Sequence, residues 1–154
     1  MVVTLFPDAG PAKVAVALRA LARDMGDPYR MDDDALARML TETGGATGAV
    51  LAEEAGTPVG VALYSVFVST TRGQVGAFVT DLWVAESQRG TGLGRALLAR
   101  VRDTVAVRWG GTFLRLNYDA DNAGAAAFYA RLGFHPKPQE IWVTLEGTAL
   151  QALA

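Results

Sequence analysis

The stretch that most constrains this chain runs from an apolar segment into a glycine-rich turn and then into a helix. Phe78–Val84 is apolar and β-prone, which predicts a buried strand. Ala85–Gly94 is short, polar and rich in glycine, and Gly94–Arg108 carries apolar residues at helical spacing. The first N–H groups of a helix have no internal partners, and glycines let the backbone approach a phosphate closely. The stretch therefore predicts a phosphorylated ligand at the start of the helix.

Two familiar phosphate-binding patterns do not fit this turn. A Walker A loop requires Gly-x-x-x-x-Gly-Lys-Ser/Thr, and the chain contains neither Lys-Ser nor Lys-Thr. A dinucleotide-binding fingerprint requires Gly-x-Gly-x-x-Gly near the start of a βαβ unit, whereas Gly90, Gly92 and Gly94 simply alternate. A connection without any ligand is a third alternative, but it does not explain the polar and basic residues around the glycines. These residues are Gln88, Arg89, Thr91 and Arg95.

The composition narrows the class of protein. The chain has 154 residues, of which 51% are hydrophobic and 19% charged, as expected for one globular domain spanning 1–154. A net charge of −2 gives no support to binding of nucleic acid or an anionic membrane. The absence of cysteine excludes disulfides, thiolate metal sites and a cysteine nucleophile, and no metal is expected. No signal peptide or membrane-spanning run is recognisable, so the expected location is the cytoplasm.

Periodicity and turn residues predict the order β-α-α-β-β-β-α-β-α-β with a helical tail. The predicted strands are Val2–Phe6, Ala49–Glu53, Pro58–Val68, Ala77–Val84, Phe113–Tyr118 and Ile141–Leu145. The predicted helices run from Pro11 to about Gly26, over Met31–Leu40 and Gly94–Arg108, from Asp121 or Asn122 to Leu132, and over Thr148–Ala154. This order favours an α/β fold of the α+β type, with a mixed, mostly antiparallel, twisted sheet flanked by helices. The unit from Phe78 to Tyr118 is expected to be a right-handed parallel β-α-β crossover.

The turn resembles a motif of the GNAT N-acetyltransferase superfamily. Its sequence Gln-Arg-Gly-Thr-Gly-Leu-Gly is similar to that family's acyl-CoA loop, Arg/Gln-x-x-Gly-x-Gly/Ala, with Arg89, Gly92 and Gly94 at the key positions. A second block, Asn122–Phe134, is similar to the family's Asn-x-x-Ala-x-x-Phe-Tyr-x-x-x-Gly-Phe helix. The resemblance covers nearly the whole chain and implies a GNAT-like fold whose β-α-β core binds acetyl-CoA.

The resemblance also implies roles for particular residues. The pyrophosphate is expected on the backbone amides of the turn, and the pantetheine arm is expected to pair with the strand before it like an added strand. The implied cofactor-binding residues are Leu82, Trp83, Val84, Arg89, Gly90, Thr91, Gly92, Leu93, Gly94, Arg95, Asn122 and Phe128. The resemblance places the Asn122 side chain on the pantetheine and the Tyr129 hydroxyl near the thioester sulfur.

Acetyl transfer to an amine requires a neutral amine, a donor for the oxyanion and a proton for the leaving thiolate. Tyr129 is the candidate acid, because a phenol can donate to a thiolate. Asp81, on the strand before the turn, is the candidate base, acting directly or through water. The N–H of Leu82 or of Val84 is the candidate oxyanion donor. The single histidine, His135, follows a helix stop and is expected in a surface turn.

Further features are similar to the diamine (spermidine/spermine) and thialysine acetyltransferase group. They are Val61–Thr71, the strand Asp81–Val84 and the ending Glu140–Leu150. That group has glutamate where this chain has Thr80, and tryptophan where it has Asp121. The predicted acceptor is therefore the amine of a small molecule, such as an amine, a polyamine or an amino-acid-like compound.

Two other functions fit the same motifs. One is acetylation of protein N-termini or lysines, and the other is a non-catalytic sensor that binds acyl-CoA. Acidic residues near the helix starts are expected to cap helices or face solvent rather than to attract a cationic amine. A homodimer is implied by the resemblance, with Val61–Thr71 and the C-terminal tail as candidate contacts.

Overall fold

The structure is a computed structural model and describes residues 2–153. These residues divide into two compact units, one up to Asn117 and one from Tyr118 onward. The first unit contains the sheet and three of the helices, and the second contains two short helices. A single domain over 1–154 stays a prediction.

The first unit follows the predicted order of elements. It consists of β1 (Val3–Phe6), α1 (Pro11–Met25), α2 (Asp33–Thr41), β2 (Thr47–Glu54), β3 (Thr57–Ser69), β4 (Gln74–Val84), a single 3₁₀ turn (Glu86–Gln88), α3 (Leu93–Trp109) and β5 (Phe113–Leu116). The predicted polar connection before β4 is shorter than expected, because the hairpin extends the ladder to the pair Ser69 and Gln74. β2 also begins earlier than predicted, since Thr47 already pairs with Ser65.

Local chemistry explains where α1 and α2 begin. Gly10 is the N-cap of α1, and Pro11 occupies its first turn, where the missing N–H costs no hydrogen bond. Asp32 caps α2 by accepting a hydrogen bond from the Ala35 N–H at 2.9 Å. Gly26 ends α1 in the left-handed conformation, with φ of 72°.

The sheet has five strands in the order β1-β2-β3-β4-β5. The first three pairings are antiparallel, and only β4 and β5 are parallel. The parallel pair is joined through α3, which is the predicted β-α-β crossover. The sheet therefore confirms the predicted fold class.

The two faces of the sheet carry different helices. Val61 lies in a core cluster with Val14 and Leu18 of α1 and with Leu36 of α2. The neighbouring residue Gly60 points to the opposite face, where a Cβ atom would lie 3.0 Å from Leu97 Cδ1 of α3. Successive residues of a strand face opposite sides, so α1 and α2 cover one face and α3 covers the other.

The second unit contains α4 (Ala123–Arg131) and α5 (Gly147–Gln151). Asn122 caps α4, because its Oδ1 accepts from the Ala125 N–H at 3.0 Å, which resolves the alternative of Asp121 or Asn122. The predicted strand Ile141–Leu145 is wrong, since this segment has no regular structure and is exposed throughout. Apolar, β-prone residues form a strand only where a ladder partner is available. The final residue of the predicted helical tail, Ala154, lies outside the described residues.

Candidate active site

The parallel pairing of β4 and β5 is short and leaves part of β4 uncovered. It joins Gly76–Val79 to Phe113–Leu116. Among the described strands, none pairs with Thr80–Val84 on the side away from β3. We call Thr80–Val84 the open edge. Its backbone groups are the kind of donors and acceptors with which an extended ligand pairs.

The open edge starts at a β-bulge. Tyr64 pairs with Val79 and Leu63 pairs with Asp81, so Thr80 is the extra residue on β4. The Thr80 hydroxyl donates to the Leu63 carbonyl at 3.4 Å. A bulge changes the direction of neighbouring side chains and disrupts local pairing. Here it coincides with the point at which β4 separates from β5.

Backbone directions along the open edge follow from one hydrogen bond. The Ala85 N–H donates to the Val59 carbonyl of β3 at 2.9 Å. Because these directions alternate in an antiparallel ladder, Asp81 and Trp83 direct their N–H and C=O groups toward β3. Leu82 and Val84 then direct theirs toward the uncovered side. These two are the residues whose amides suit a pantetheine arm or an oxyanion.

Trp83 uses its side chain to hold the fold together. Only 8% of the residue is exposed, and it belongs to the core cluster beneath α1. Its Nε1–H donates to Asp24 Oδ2 of α1 at 2.9 Å. Its cofactor contact stays a prediction, and neither its side chain nor its backbone points along the uncovered side of β4.

The glycine-rich turn has the backbone expected of an anion-binding helix start. Gly90 and Gly92 have φ of 76° and 90°, a region that residues with a Cβ rarely adopt. Gly92 is the N-cap of α3, and no side chain caps that first turn. The N–H groups at the start of α3 are therefore left for a ligand, together with the positive end of the helix dipole. The residues present fit a pyrophosphate.

Other residues of the turn hold the start of α3 in place and add positive charge to it. Leu93 is buried and fixes the first turn of α3 against the sheet, whereas Arg95 is exposed. The Thr91 hydroxyl donates to the Gln88 carbonyl at 2.7 Å and closes the turn. Gly94 lies half-buried between Leu93 and Arg95.

Arg89 makes contacts that its sequence position does not reveal. One of its terminal nitrogens donates to Asp24 Oδ2 at 2.8 Å, the same oxygen that accepts from Trp83. Its Nε–H donates to the carbonyl of Val84 at 3.2 Å. Arg89 thus ties the turn to α1 and to the end of the open edge. Asp24 was missed because nothing in the sequence around it distinguishes it from a solvated helix residue.

Asp81 is a half-buried carboxyl group at the start of the open edge. Burial raises its pKa above the ordinary value of 3.8, and a hydrogen bond from Thr80 opposes that shift. A carboxylate with a raised pKa is a stronger base than an exposed one, which suits the predicted role.

The remaining predicted residues belong to the second unit and are described within it. Tyr129 is surrounded by aromatic rings, with centroid distances of 5.6 Å to Tyr118, 5.1 Å to Phe128 and 5.5 Å to Phe134. Burial raises its pKa above the ordinary value of 10.0. The oxygen of the Asn122 side chain serves the cap of α4. His135 is exposed, as the sequence predicts.

The model of the acetyltransferase (GNAT) family matches residues 16–134. The chain belongs to this family. It is therefore an acetyl-CoA-dependent N-acetyltransferase, and the resemblance seen in the two motifs is confirmed at the level of the superfamily. No curated protein sequence matches the chain at a significant level.

Solved structures agree with the fold over almost the whole chain. An integron cassette protein from V. cholerae superposes with a TM-score of 0.78 at 21% identity, covering 99% of this chain and 98% of its own. An aminoglycoside acetyltransferase from an uncultured soil metagenomic sample has a TM-score of 0.76 at 15% identity, covering 94% and 96%. The ribosomal-protein-alanine N-acetyltransferase of Brucella melitensis has a TM-score of 0.71 at 20% identity, covering 94% and 99%. At these identities the likeness concerns the fold alone.

No helix within residues 2–153 is long and apolar enough to cross a membrane.

Proposed function

We propose that the chain transfers the acetyl group of acetyl-CoA directly to the primary amine of a small molecule. The observation that carries this proposal is the position of Asp81, a half-buried carboxyl group at the start of the open edge. A base beside the strand that suits the pantetheine arm can take a proton from an amine as it attacks. No covalent intermediate on the protein is then required, in agreement with a sequence that contains no cysteine.

Two parts of the first unit would hold the donor. The uncapped N–H groups at the start of α3 would bind the pyrophosphate, with Arg95 adding positive charge. The backbone groups of Leu82 and Val84 would pair with the amides of the pantetheine arm. When bound, acetyl-CoA supplies an acetyl group already activated as a thioester.

Residues of the chain can supply each proton transfer and each hydrogen bond that the proposed reaction requires. The amine nitrogen forms a bond to the carbonyl carbon while Asp81 takes one of its protons. An N–H of the open edge, from Leu82 or Val84, stabilises the negative charge on the carbonyl oxygen. The carbon–sulfur bond then breaks, and Tyr129 gives its proton to the thiolate. Its raised pKa supports this role, because the hydroxyl stays protonated at neutral pH.

The acceptor is proposed at the level of a chemical class. Two of the acetyltransferases among the similar structures differ in their acceptors, an aminoglycoside in one and a ribosomal protein in the other. The similarity to diamine and thialysine acetyltransferases supports testing polyamines and amino-acid-like amines. Thr80 replaces the glutamate of that group, and its hydroxyl is directed to the Leu63 carbonyl.

A panel of acceptors tests the proposal. The protein is incubated with acetyl-CoA and, separately, with monoamines, diamines, polyamines, amino acids, aminoglycosides and a lysine-containing peptide. Thiol release and the mass of the product are measured together. We expect acetylation of at least one small amine. Acetylation of the peptide alone would indicate a protein acetyltransferase, and acetyl-CoA binding without any product would indicate a sensor; either result would overturn the proposal.

A further inference from the structure

The side chain of Arg89 is committed to two groups of the protein itself. One terminal nitrogen donates to Asp24 Oδ2 at 2.8 Å, and Nε donates to the Val84 carbonyl at 3.2 Å. The same Asp24 oxygen accepts from Nε1 of the buried Trp83 at 2.9 Å. Asp24 is therefore held by a core side chain on one side and holds the Arg89 guanidinium on the other.

These contacts use the guanidinium for the fold rather than for a phosphate. An arginine that binds phosphate contributes its positive charge and, in most cases, two parallel N–H groups. In Arg89, Nε and one terminal nitrogen donate to protein oxygens, and the carboxylate of Asp24 compensates the charge. A pyrophosphate is then left to the uncapped N–H groups at the start of α3 and to Arg95.

The contact with Val84 fixes the last peptide group of the open edge. The carbonyl of this peptide, on the uncovered side of β4, accepts from Arg89. Its N–H, which belongs to Ala85, donates to the Val59 carbonyl of β3 at 2.9 Å. The peptide group is thus held from both sides at the point where the strand ends, although no further strand covers it.

We propose that Asp24 and Arg89 are positioning residues for the acetyl donor. Asp24 fixes the guanidinium of Arg89, and Arg89 fixes both the end of the open edge and the turn to which its own backbone belongs. One ion pair thereby holds the strand for the pantetheine arm and the turn for the pyrophosphate in a fixed relative position, while neither side chain contacts a phosphate. This inference rests on the proposed function, in which the open edge and the turn hold the donor.

A phosphate-binding Arg89 and a positioning Arg89 predict opposite effects of Asp24→Asn. Asparagine removes a negative charge from the turn and frees the guanidinium, so a phosphate-binding Arg89 would bind coenzyme A more tightly. A positioning Arg89 loses its anchor instead, and we expect the Kd for coenzyme A to rise about fivefold, which is the most that a partly exposed ion pair contributes. The amide oxygen of asparagine can still accept from Trp83, so the buried N–H keeps a partner.

Substitutions of Arg89 test the same point through charge and geometry. Arg89→Lys keeps the positive charge but lacks the planar fork that reaches two acceptors at once. We therefore expect Arg89→Lys to raise the Kd as much as Arg89→Met does, by about fivefold. The double variant of Asp24→Asn with Arg89→Met should lose no more than either single variant, because the two side chains act as one unit. In steady-state kinetics the KM for acetyl-CoA should rise by a larger factor than kcat falls.

Calorimetric titration with coenzyme A measures these affinities without turnover. Asp8→Asn is the matched control, because Asp8 accepts from Arg108 at the same 2.8 Å in another exposed ion pair. Arg108 lies in the last turn of α3, at the opposite end from the glycine-rich turn. This variant removes an equal charge and an equivalent ion pair, and its Kd for coenzyme A should stay within about twofold of the wild type.

The outcomes separate this inference from the proposed function. Tighter binding by Asp24→Asn, or wild-type affinity in Arg89→Lys with a loss in Arg89→Met, would assign the guanidinium to the phosphates and overturn the inference alone. Unchanged affinity in all variants, or additive losses in the double variant, would also overturn it. A wild type that does not bind coenzyme A would overturn the proposed function as well.

Discussion

Asp81 owes both its burial and its position to the bulge at Thr80. The bulge places Asp81 opposite Leu63 at the point where β4 leaves β5. The carboxyl group therefore lies beside the open edge on the face covered by α1, where it is partly withdrawn from water. The same burial that raises its pKa makes the charged form unfavourable in the folded protein.

We predict that Asp81→Asn lowers kcat and stabilises the fold. Removing a general base is expected to cost about a hundredfold or more in kcat. The pKa of Asp81 is higher in the folded protein than in the unfolded chain. At pH values between these two pKa values, the native state therefore binds more protons than the unfolded chain. The free energy of unfolding therefore falls as the pH rises through that window. Asparagine removes this penalty, and the melting temperature at about pH 7 is expected to rise.

This prediction is checked by measuring how the stability of Asp81→Asn relative to the wild type depends on pH. At about pH 3 the carboxyl group is protonated in both states, so the stabilisation by Asp81→Asn should disappear there. Asp103→Asn is the control, because Asp103 is an exposed carboxylate on α3. Full activity of Asp81→Asn would remove Asp81 from the mechanism. A lower melting temperature of this variant at neutral pH would contradict the inference that the half-buried carboxylate of Asp81 destabilises the folded state.

Tyr129 is more deeply buried than Tyr118, the tyrosine whose ring stacks on it. Tyr129 is half-buried among aromatic rings, whereas Tyr118 is exposed. We predict that Tyr129→Phe lowers kcat by about tenfold to a hundredfold while the affinity for acetyl-CoA stays unchanged, because the ring is kept and only the proton donor is lost. Steady-state kinetics and equilibrium titration with acetyl-CoA measure the two quantities separately.

Tyr118→Phe provides the comparison for this prediction. It removes a hydroxyl from the ring stacked on Tyr129 and should leave kcat within about twofold. Equal losses in both variants would show that the hydroxyl of Tyr129 matters only for packing. The wild-type kcat should also remain level up to about pH 10, because burial raises the pKa of Tyr129 above 10.0.

Between elements, one carboxylate connects three parts of the first unit. Asp24 of α1 accepts hydrogen bonds from Trp83 of β4 and from Arg89 of the turn. The ion pair with Arg89 is partly exposed, so its own contribution to stability is small. The bond to the buried Trp83 matters more, because a buried indole N–H without a partner costs free energy. The shared carboxylate therefore fixes the turn relative to the strand that precedes it.

The contact between α3 and the sheet depends on Gly60. A Cβ at this position would lie 3.0 Å from Leu97 Cδ1, 3.1 Å from the Trp83 carbonyl oxygen and 3.3 Å from Leu93 Cδ2. We predict that Gly60→Ala destabilises the protein by about 1–3 kcal/mol, as overpacking does. It should also weaken acetyl-CoA binding, because Leu93 opens the helix whose N–H groups would bind the pyrophosphate. Chemical denaturation and calorimetry with acetyl-CoA measure the two effects.

Gly124→Ala is the control for this substitution. Gly124 lies in α4, where the nearest atom to an added Cβ is Asn122 Oδ1 at an ordinary 3.6 Å. Alanine is favoured in a helix, so this variant should be at least as stable as the wild type. If Gly60→Ala keeps the stability and the acetyl-CoA affinity of the wild type, α3 must shift to accommodate the added methyl group without loss of stability.

Across the whole molecule, the sequence predicted what local patterns determine. The order of elements in the first unit, the start of α1 at Pro11, Asn122 as one of two possible caps of α4, and the glycine-rich start of α3 all follow from residues within a few positions of one another. Gly60, the fourth residue of β3, was also a usable signal, because an isolated glycine in a strand marks a close approach of neighbouring backbone or side chains.

What the sequence did not predict depends on contacts between distant residues. The role of Asp24 arises from β4 passing beneath α1, 59 positions later in the chain at Trp83, and no local pattern encodes it. The strand expected at Ile141–Leu145 failed for the opposite reason. Its residues have high strand propensity, but a strand also requires a neighbour with which to form a ladder.

The segment Ile141–Leu145 also allows the most direct test of the predicted homodimer. Ile141 and Val143 are 84% and 87% exposed, which is unusual for neighbouring apolar residues. Apolar side chains exposed together mark interaction surfaces more often than isolated ones do. We therefore predict that the protein forms a homodimer that covers this segment. The double substitution Ile141→Asp with Val143→Asp should then shift the sedimentation equilibrium mass from dimer toward monomer while the melting curve of the first unit is preserved.

Val107→Asp is the matched control, because Val107 is 86% exposed and lies on α3, outside the C-terminal segment. It adds the same kind of charge at an equally exposed valine and should leave the mass unchanged. A wild type that sediments as a monomer at all concentrations would contradict the dimer itself. Dissociation by Val107→Asp but not by the double substitution would move the interface from the C-terminal segment to the α3 surface, because a buried aspartate disrupts only the surface that the partner covers.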